Sequence, residues 1–104
     1  MKPELKKKWL EALKSGRYKQ GQGMLRAEDK YCCLGVLCDL IDPKQWVVKG
    51  EQNWFFFDGD RFSLSVQVQF DTGIQTEEMQ TLVKMNDSYL AGFKEIARWI
   101  EKNL

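Results

Sequence analysis

Three thiols and no imidazole limit the chemistry open to this 104-residue chain. Cys32, Cys33 and Cys38 fall inside one apolar block, Tyr31-Cys-Cys-Leu-Gly-Val-Leu-Cys-Asp-Leu-Ile41, and no histidine occurs anywhere. Ser-His-Asp and Cys-His catalysis, zinc sites that use histidine, and histidine-based nucleases are thereby excluded. Cys32, near a helix start, is the thiol best placed to ionise. Its neighbours are apolar, however, and no base stands ready to take its proton. Zinc held by the three cysteines fails on spacing, because vicinal cysteines on a helix do not both turn toward one tetrahedral ion. A disulfide is opposed in the same way: Cys38 lies about 140° around a helix from Cys33, and the count is odd. Three reduced, buried thiols fit a reducing compartment. Asp58-Gly59-Asp60 has the opening of a calcium loop without its later glutamate, so it reads as a turn. The remaining carboxylates name no acid–base pair. The expectation is a protein that is not an enzyme, with no metal and no cofactor.

The second place where chemistry could sit is Gly16-Arg17-Tyr18-Lys19-Gln20-Gly21-Gln22-Gly23-Met24-Leu25-Arg26. Two glycines at i and i+2 let the backbone approach a partner, and Arg17, Lys19 and Arg26 supply charged donors. Two readings stay open. One is an ordinary turn leading into a short strand at 23 to 26. The other is a loop that grips a small anionic ligand such as a nucleotide, using Arg17, Tyr18, Lys19, Gln20, Gly21, Gly23 and Arg26. It is not a P-loop, since no Gly-Lys-Ser or Gly-Lys-Thr is present. Charge is uneven along the chain. Residues 1 to 30 carry nine bases and four acids, a net of +5, and the rest carries seven bases and eleven acids, a net of −4. A basic front third would attract phosphate, nucleic acid or an acidic protein surface, unless it meets the acidic part within the fold.

These groups must be positioned by a small set of elements. Nine of the eleven residues from Tyr31 to Ile41 are apolar. A helix apolar on nearly all sides is a buried one, and this one is too short to span a bilayer. Leu5, Trp9, Leu10 and Leu13 predict a first helix over about 3 to 14, with Pro3 in its first turn and Gly16 as its cap. Asp42-Pro43 ends the central helix. Trp46-Val47-Val48 and Trp54-Phe55-Phe56-Phe57 predict a hairpin. Phe62, Leu64, Val66, Val68 and Phe70 alternate with polar residues and predict a third, half-buried strand. A helix opens at Thr76-Glu77-Glu78, with Asn86-Asp87-Ser88 as punctuation, and an amphipathic helix carries Phe93, Ile96, Ala97 and Ile100 inward. Phe93 to Ile100 has the look of the first helix of a helix-turn-helix. No recognition helix follows before Leu104, which counts against sequence-specific DNA reading and leaves a homodimer through this helix open. The charged start predicts no secretory signal, and hydrophobic content of 43% with charged content of 30% predicts a globular, cytoplasmic protein with no membrane association.

Trp9-Leu-Glu-Ala-Leu-Lys-Ser-Gly16 with Tyr18-Lys-Gln-Gly21, Tyr31 to Leu40, and Met85-Asn-Asp-Ser88 with Phe93-Lys-Glu-Ile-Ala97 resemble a family of small uncharacterised proteins encoded by tailed phages and prophages. The resemblance implies a phage origin and a setting in the host cytoplasm, with no assigned activity or catalytic residues. It also implies a short helix before a glycine over Leu64 to Ile74, where the alternation favours a strand.

The fold expected is α+β: one domain over residues 1–104, its central buried helix and flanking helices packed on a short antiparallel sheet built mainly from residues 45 to 70. The function expected is that of a phage accessory protein that binds and inhibits a host protein, including a component of immunity, through Trp46, Trp54 and the last helix with Trp99. Capture of a small anionic ligand by the Arg17 to Arg26 loop is the alternative.

Overall fold

The computed structural model describes all 104 residues. Helix α1 runs Pro3–Ser15, its first turn fixed by Pro3 and its end by Gly16 at φ 79°. It turns Trp9, Ala12 and Leu13 inward. The Trp9 indole is fully buried and donates through Nε1 to the Cys33 carbonyl at 2.9 Å, so its one polar atom is satisfied. Removing a buried side chain of this size costs about 3–5 kcal/mol, which makes Trp9 a principal tie between α1 and the centre of the domain.

That centre is α2, Cys33–Ile41, in which every residue from Cys33 to Cys38 is buried. The apolar block therefore forms the central helix the sequence predicts, with one shift of boundary. Tyr31 belongs to a strand and Cys32 is the cap, its sulfur accepting from the Gly35 N–H. Helix α4, Thr76–Asp87, packs on α2 and on α5, Phe93–Asn103, and α5 packs along α1. Ile96, Ala97 and Ile100 of α5 reach the same core. No helix is long and apolar enough to cross a membrane.

Two small sheets flank the helices. β1 (Lys19–Gln20), β2 (Arg26–Ala27) and β3 (Lys30–Tyr31) form one, with β3 in the middle, parallel to β1 and antiparallel to β2. β4 (Trp46–Lys49) and β5 (Trp54–Phe57) form an antiparallel hairpin with Trp46 opposite Phe57 and Lys49 opposite Trp54. The fold is α+β with short sheets, but the sheet expected over 45 to 70 stops at Phe57, and the strand expected at 23 to 26 reduces to Arg26–Ala27.

The predicted third strand is a helix. α3 spans Val66–Thr72, capped by the Ser65 hydroxyl accepting from the Val68 N–H at 3.1 Å and ended by Gly73 at φ 78°. An apolar residue at every second position also places one at every fourth. Leu64, Val68 and Thr72 accordingly form an inward row on this helix and its approach, and all three are buried. The other members of the alternation, Phe62, Val66 and Phe70, are exposed, the last two at 83% each. The short helix before a glycine that the phage-family resemblance implies is what the chain forms. The punctuation expected at Asn86-Asp87-Ser88 falls where α4 ends, at Asp87 with Ser88 as its cap, and Asn86 in the last turn is fully buried.

One close approach governs how these elements meet. The Leu25 backbone crosses α2 at Gly35, where a Cβ would overlap the Leu25 carbonyl oxygen and lie 2.7 Å from its carbon. Alanine normally stabilises a helix interior by about 1 kcal/mol over glycine. Here the obstacle is backbone, which cannot rotate away, so the sign reverses. Gly35→Ala is expected to lose about 3 kcal/mol or more in a urea titration followed by circular dichroism; a gain in stability would show that Leu25 does not lie across the helix.

Candidate functional site

The thiols are withdrawn from chemistry. Burial pushes the Cys32 thiol up to about 12 and holds Cys33 and Cys38 well above the ordinary range. At neutral pH all three are protonated hydrophobes. No three Cys, Asp or Glu side chains stand close enough together to hold a metal ion.

The glycine loop is bonded into the fold at Gln20 and Gly21. Gln20 donates through Nε2 to Asn86 Oδ1 at 2.9 Å and to the Ala91 carbonyl at 2.8 Å. Asn86 donates in turn to the Gly21 carbonyl at 2.8 Å and to Asp87 Oδ1 at 2.8 Å, while its Oδ1 also accepts from the Cys33 N–H at 3.3 Å. One buried amide thus joins the loop, the start of α2 and the last turn of α4. Asn86 was legible as a polar residue on the Met79–Leu82 stripe, four positions beyond Leu82, which is the mark of a buried network.

The loop's charged residues take three separate sets of partners. Arg17 bonds Ser15 Oγ through Nε at 3.3 Å and stays exposed. Lys19 pairs with Asp29 at 3.0 Å in an exposed bridge of small energetic weight. The Arg26 guanidinium lies 4.2 Å from the Phe55 ring centroid, 5.0 Å from that of Tyr31 and 5.4 Å from that of Trp46, with Nε donating to the Glu28 carbonyl at 2.7 Å. Tyr18 donates to Asp39 Oδ2 at 2.7 Å, and burial together with that carboxylate raises its phenol. Gly23 takes a left-handed φ of 87°, and Gly21 has Lys30 Cβ where its own Cβ would press, at 3.0 Å. A cleft of about 320 Å³ separates the β2–β3 turn, with Arg26, Glu28, Asp29 and Lys30, from Asn53 and Trp54 of the hairpin.

The three tryptophans named from sequence have different surroundings. Trp46 is half-buried, its Nε1 donating to Asp39 Oδ1 at 3.0 Å and its ring edge-on to Phe57 at 5.2 Å. Trp99 is half-buried on α5 against the core. Trp54 is 39% exposed at the start of β5, and Phe62, just beyond the turn after β5, is 54% exposed. Between them in sequence, Arg61 sets its guanidinium carbon 3.4 Å from the Trp54 ring centroid and 4.3 Å from that of Phe62. Val47 and Val48 on β4 are also exposed. An open groove of about 700 Å³ runs past Val66, Phe70, Ile74 and Thr76 where α3 meets α4. Arg61 was missed by sequence reasoning, and Phe62, Val66 and Phe70 were absorbed into a strand pattern. Their signal was that an apolar row already matched on one helical face left these side chains over.

Two outcomes follow from this geometry. In a double-mutant cycle of Gln20→Ala and Asn86→Ala, the coupling energy measured by urea unfolding should be about 1–2 kcal/mol, and Asn86→Asp, which turns a donor into an acceptor facing the Gly21 carbonyl, should be worse than Asn86→Ala. The raised thiols and Tyr18 keep protons in the fold that the unfolded chain has released, so their contribution is complete below the ordinary thiol value of 9.0 and is lost as pH climbs above it. The urea midpoint should therefore fall from pH 9 to pH 11, and native protein at pH 8 should leave a thiol-reactive chromogenic disulfide uncleaved until denaturant is added.

No curated protein and no solved structure matches the chain. The family model described as Domain of unknown function (DUF8296) matches residues 1–104, and the chain belongs to that family.

Proposed function

We propose that this protein is a non-catalytic binding module that occupies a surface of another protein, in the phage setting implied by its motifs a host protein whose action it blocks. The observation that carries the reading is the set of large apolar side chains left in water on adjoining stretches of chain: Val47 on β4 and Trp54 on the same face of β5, Phe62, and Val66 and Phe70 on α3. Single exposed hydrophobes are ordinary, whereas a run of them from strand to helix suits an interface. Tryptophan and arginine together at Trp54 and Arg61 are the residue types that dominate binding energy in such surfaces. The protonated thiols and the lack of histidine support a role without catalysis.

Capture of a small anionic ligand by the Arg17 to Arg26 loop is the second reading, and the cleft beside Arg26, Lys30 and Trp54 supports it. Against it stand the bonds already made by Lys19, Gln20, Gly21 and Arg26, which a loop-wide grip on phosphate would have to exchange.

Tagged protein incubated in bacterial lysate should retain a partner. Trp54→Ala and Phe62→Ala should each lose that partner at matched concentration, a loss of about 2 kcal/mol or more in binding, with thermal stability nearly unchanged. Arg17→Ala with Lys19→Ala should leave it bound. Retention by both aromatic variants, with loss in the loop variant, would transfer the function to the glycine loop.

A further inference from the structure

Arg61 is the only base between Gly50 and Val83, a stretch with six acids: Glu51, Asp58, Asp60, Asp71, Glu77 and Glu78. None of them pairs with it. The ion pairs in the molecule are Lys14–Glu101 and Lys19–Asp29, and the Arg61 side chain makes no hydrogen bond. Its Nη1 is shut off from solvent with no acceptor. The nearest acid in sequence, Asp60, turns its Oδ1 to the Phe62 and Ser63 N–H groups at 2.9 and 3.2 Å and makes no bond to Arg61. Asp58 is likewise engaged by the Ser65 hydroxyl.

A guanidinium nitrogen shut off from water with no acceptor is an exception that calls for a physical reason, and the remaining donors, which are not buried, have no partner within the chain. Ring contact accounts for part of it, since cation–π attraction to Trp54 and Phe62 offsets lost hydration. It does not supply an acceptor. The group is also mounted on a fixed point, because the Arg61 carbonyl accepts from the Leu25 N–H at 2.8 Å, and Leu25 is fully buried. A cation held in place by its backbone, partly dehydrated at Nη1 and flanked by exposed aromatic rings, with its other donors not buried, has the form of a seat for one carboxylate from outside.

Resting on the protein-binding reading above, we infer that the partner of this surface is an apolar protein segment carrying one aspartate or glutamate, whose carboxylate is received by Arg61 while its apolar neighbours cover Trp54 and Phe62. Charge decides the class of partner. Arg61 is the one base along a stretch of chain with six acids, a balance that disfavours a polyanion such as nucleic acid and suits a single carboxylate set among uncharged or basic residues.

The test is selection of a displayed library of random dodecapeptides on the intact protein, in parallel on wild type, Trp54→Ala, Arg61→Gln and Arg61→Lys, each first checked by thermal melting. Wild type should enrich apolar peptides with one Asp or Glu. On Arg61→Gln the acid should drop to its frequency in the unselected library while apolar enrichment persists. Individual peptides should bind Arg61→Gln about tenfold or more weakly, as loss of a charged hydrogen bond predicts. Arg61→Lys keeps charge without the fork, and should bind between the two; it carries the comparison if Arg61→Gln melts early. Apolar peptides that depend on Trp54 but show no acid preference would overturn this inference alone. No enrichment that depends on Trp54 would overturn the binding surface itself. Arg61-dependent binding of a labelled single-stranded oligonucleotide, tighter than that of the acidic peptides, would replace the carboxylate with phosphate.

Discussion

The Leu25 peptide group, laid across the face of α2 at Gly35, is the contact on which the rest of the domain depends. Its carbonyl accepts from Cys32 N–H at 3.1 Å, where α2 begins, and its N–H donates to the Arg61 carbonyl at 2.8 Å. A single residue therefore fixes the start of the central helix, the end of the glycine loop and the segment that follows the hairpin. The approach is possible only because position 35 has no side chain. An apolar helix offers neighbours nothing directional, so polar bonds at its edge must decide where they sit. Leu25 supplies that direction on one side, and the Trp9 indole bonding the Cys33 carbonyl supplies it on the other.

Asn86 completes the arrangement from α4. Buried amides are costly unless fully bonded, and this one bonds Gln20, Gly21, Cys33 and Asp87. The loop that looked most like a ligand grip is consequently tied into the fold at Gln20 and Gly21, while Arg17 and Lys19 stay exposed. Arg26 shows the same economy: a cation that would suit a phosphate lies instead among Tyr31, Trp46 and Phe55. Arg61 differs from both. It touches rings, as Arg26 does, but has no bond to any carbonyl or carboxylate.

The parts of the fold legible in the sequence were those with one dominant signal. A block as apolar as Cys32 to Leu40 can only be interior, Ser15-Gly16 and Asp42-Pro43 can only be ends, and Trp46 to Phe57 carries the residues and spacing of a hairpin. The run from Phe62 to Phe70 was misleading because periods of two and of four coincide in it. What settles it is the Ser65 cap and Gly73, which are helix signals outside the alternation itself. The candidate surface was legible only at Trp54. Whether a tryptophan is anchored by its N–H, as Trp46 is by Asp39, or left open depends on a partner seven positions away in a different element. The orphaned state of Arg61 is still less visible, since it follows from where the nearby acids are turned, Asp60 toward the Phe62 and Ser63 N–H groups and Asp58 toward Ser65.

The outward residues of α3 bear on how such a protein changes over generations. Val66 and Phe70 contribute nothing to the interior, which is filled from that segment by Leu64, Val68 and Ile74. Substitutions on the outer face are therefore free of folding cost, whereas those on the inner face are not. A lineage can revise the side chains on this face by drift at a few codons, while Gly35, Leu25 and Asn86 keep the scaffold unchanged beneath it.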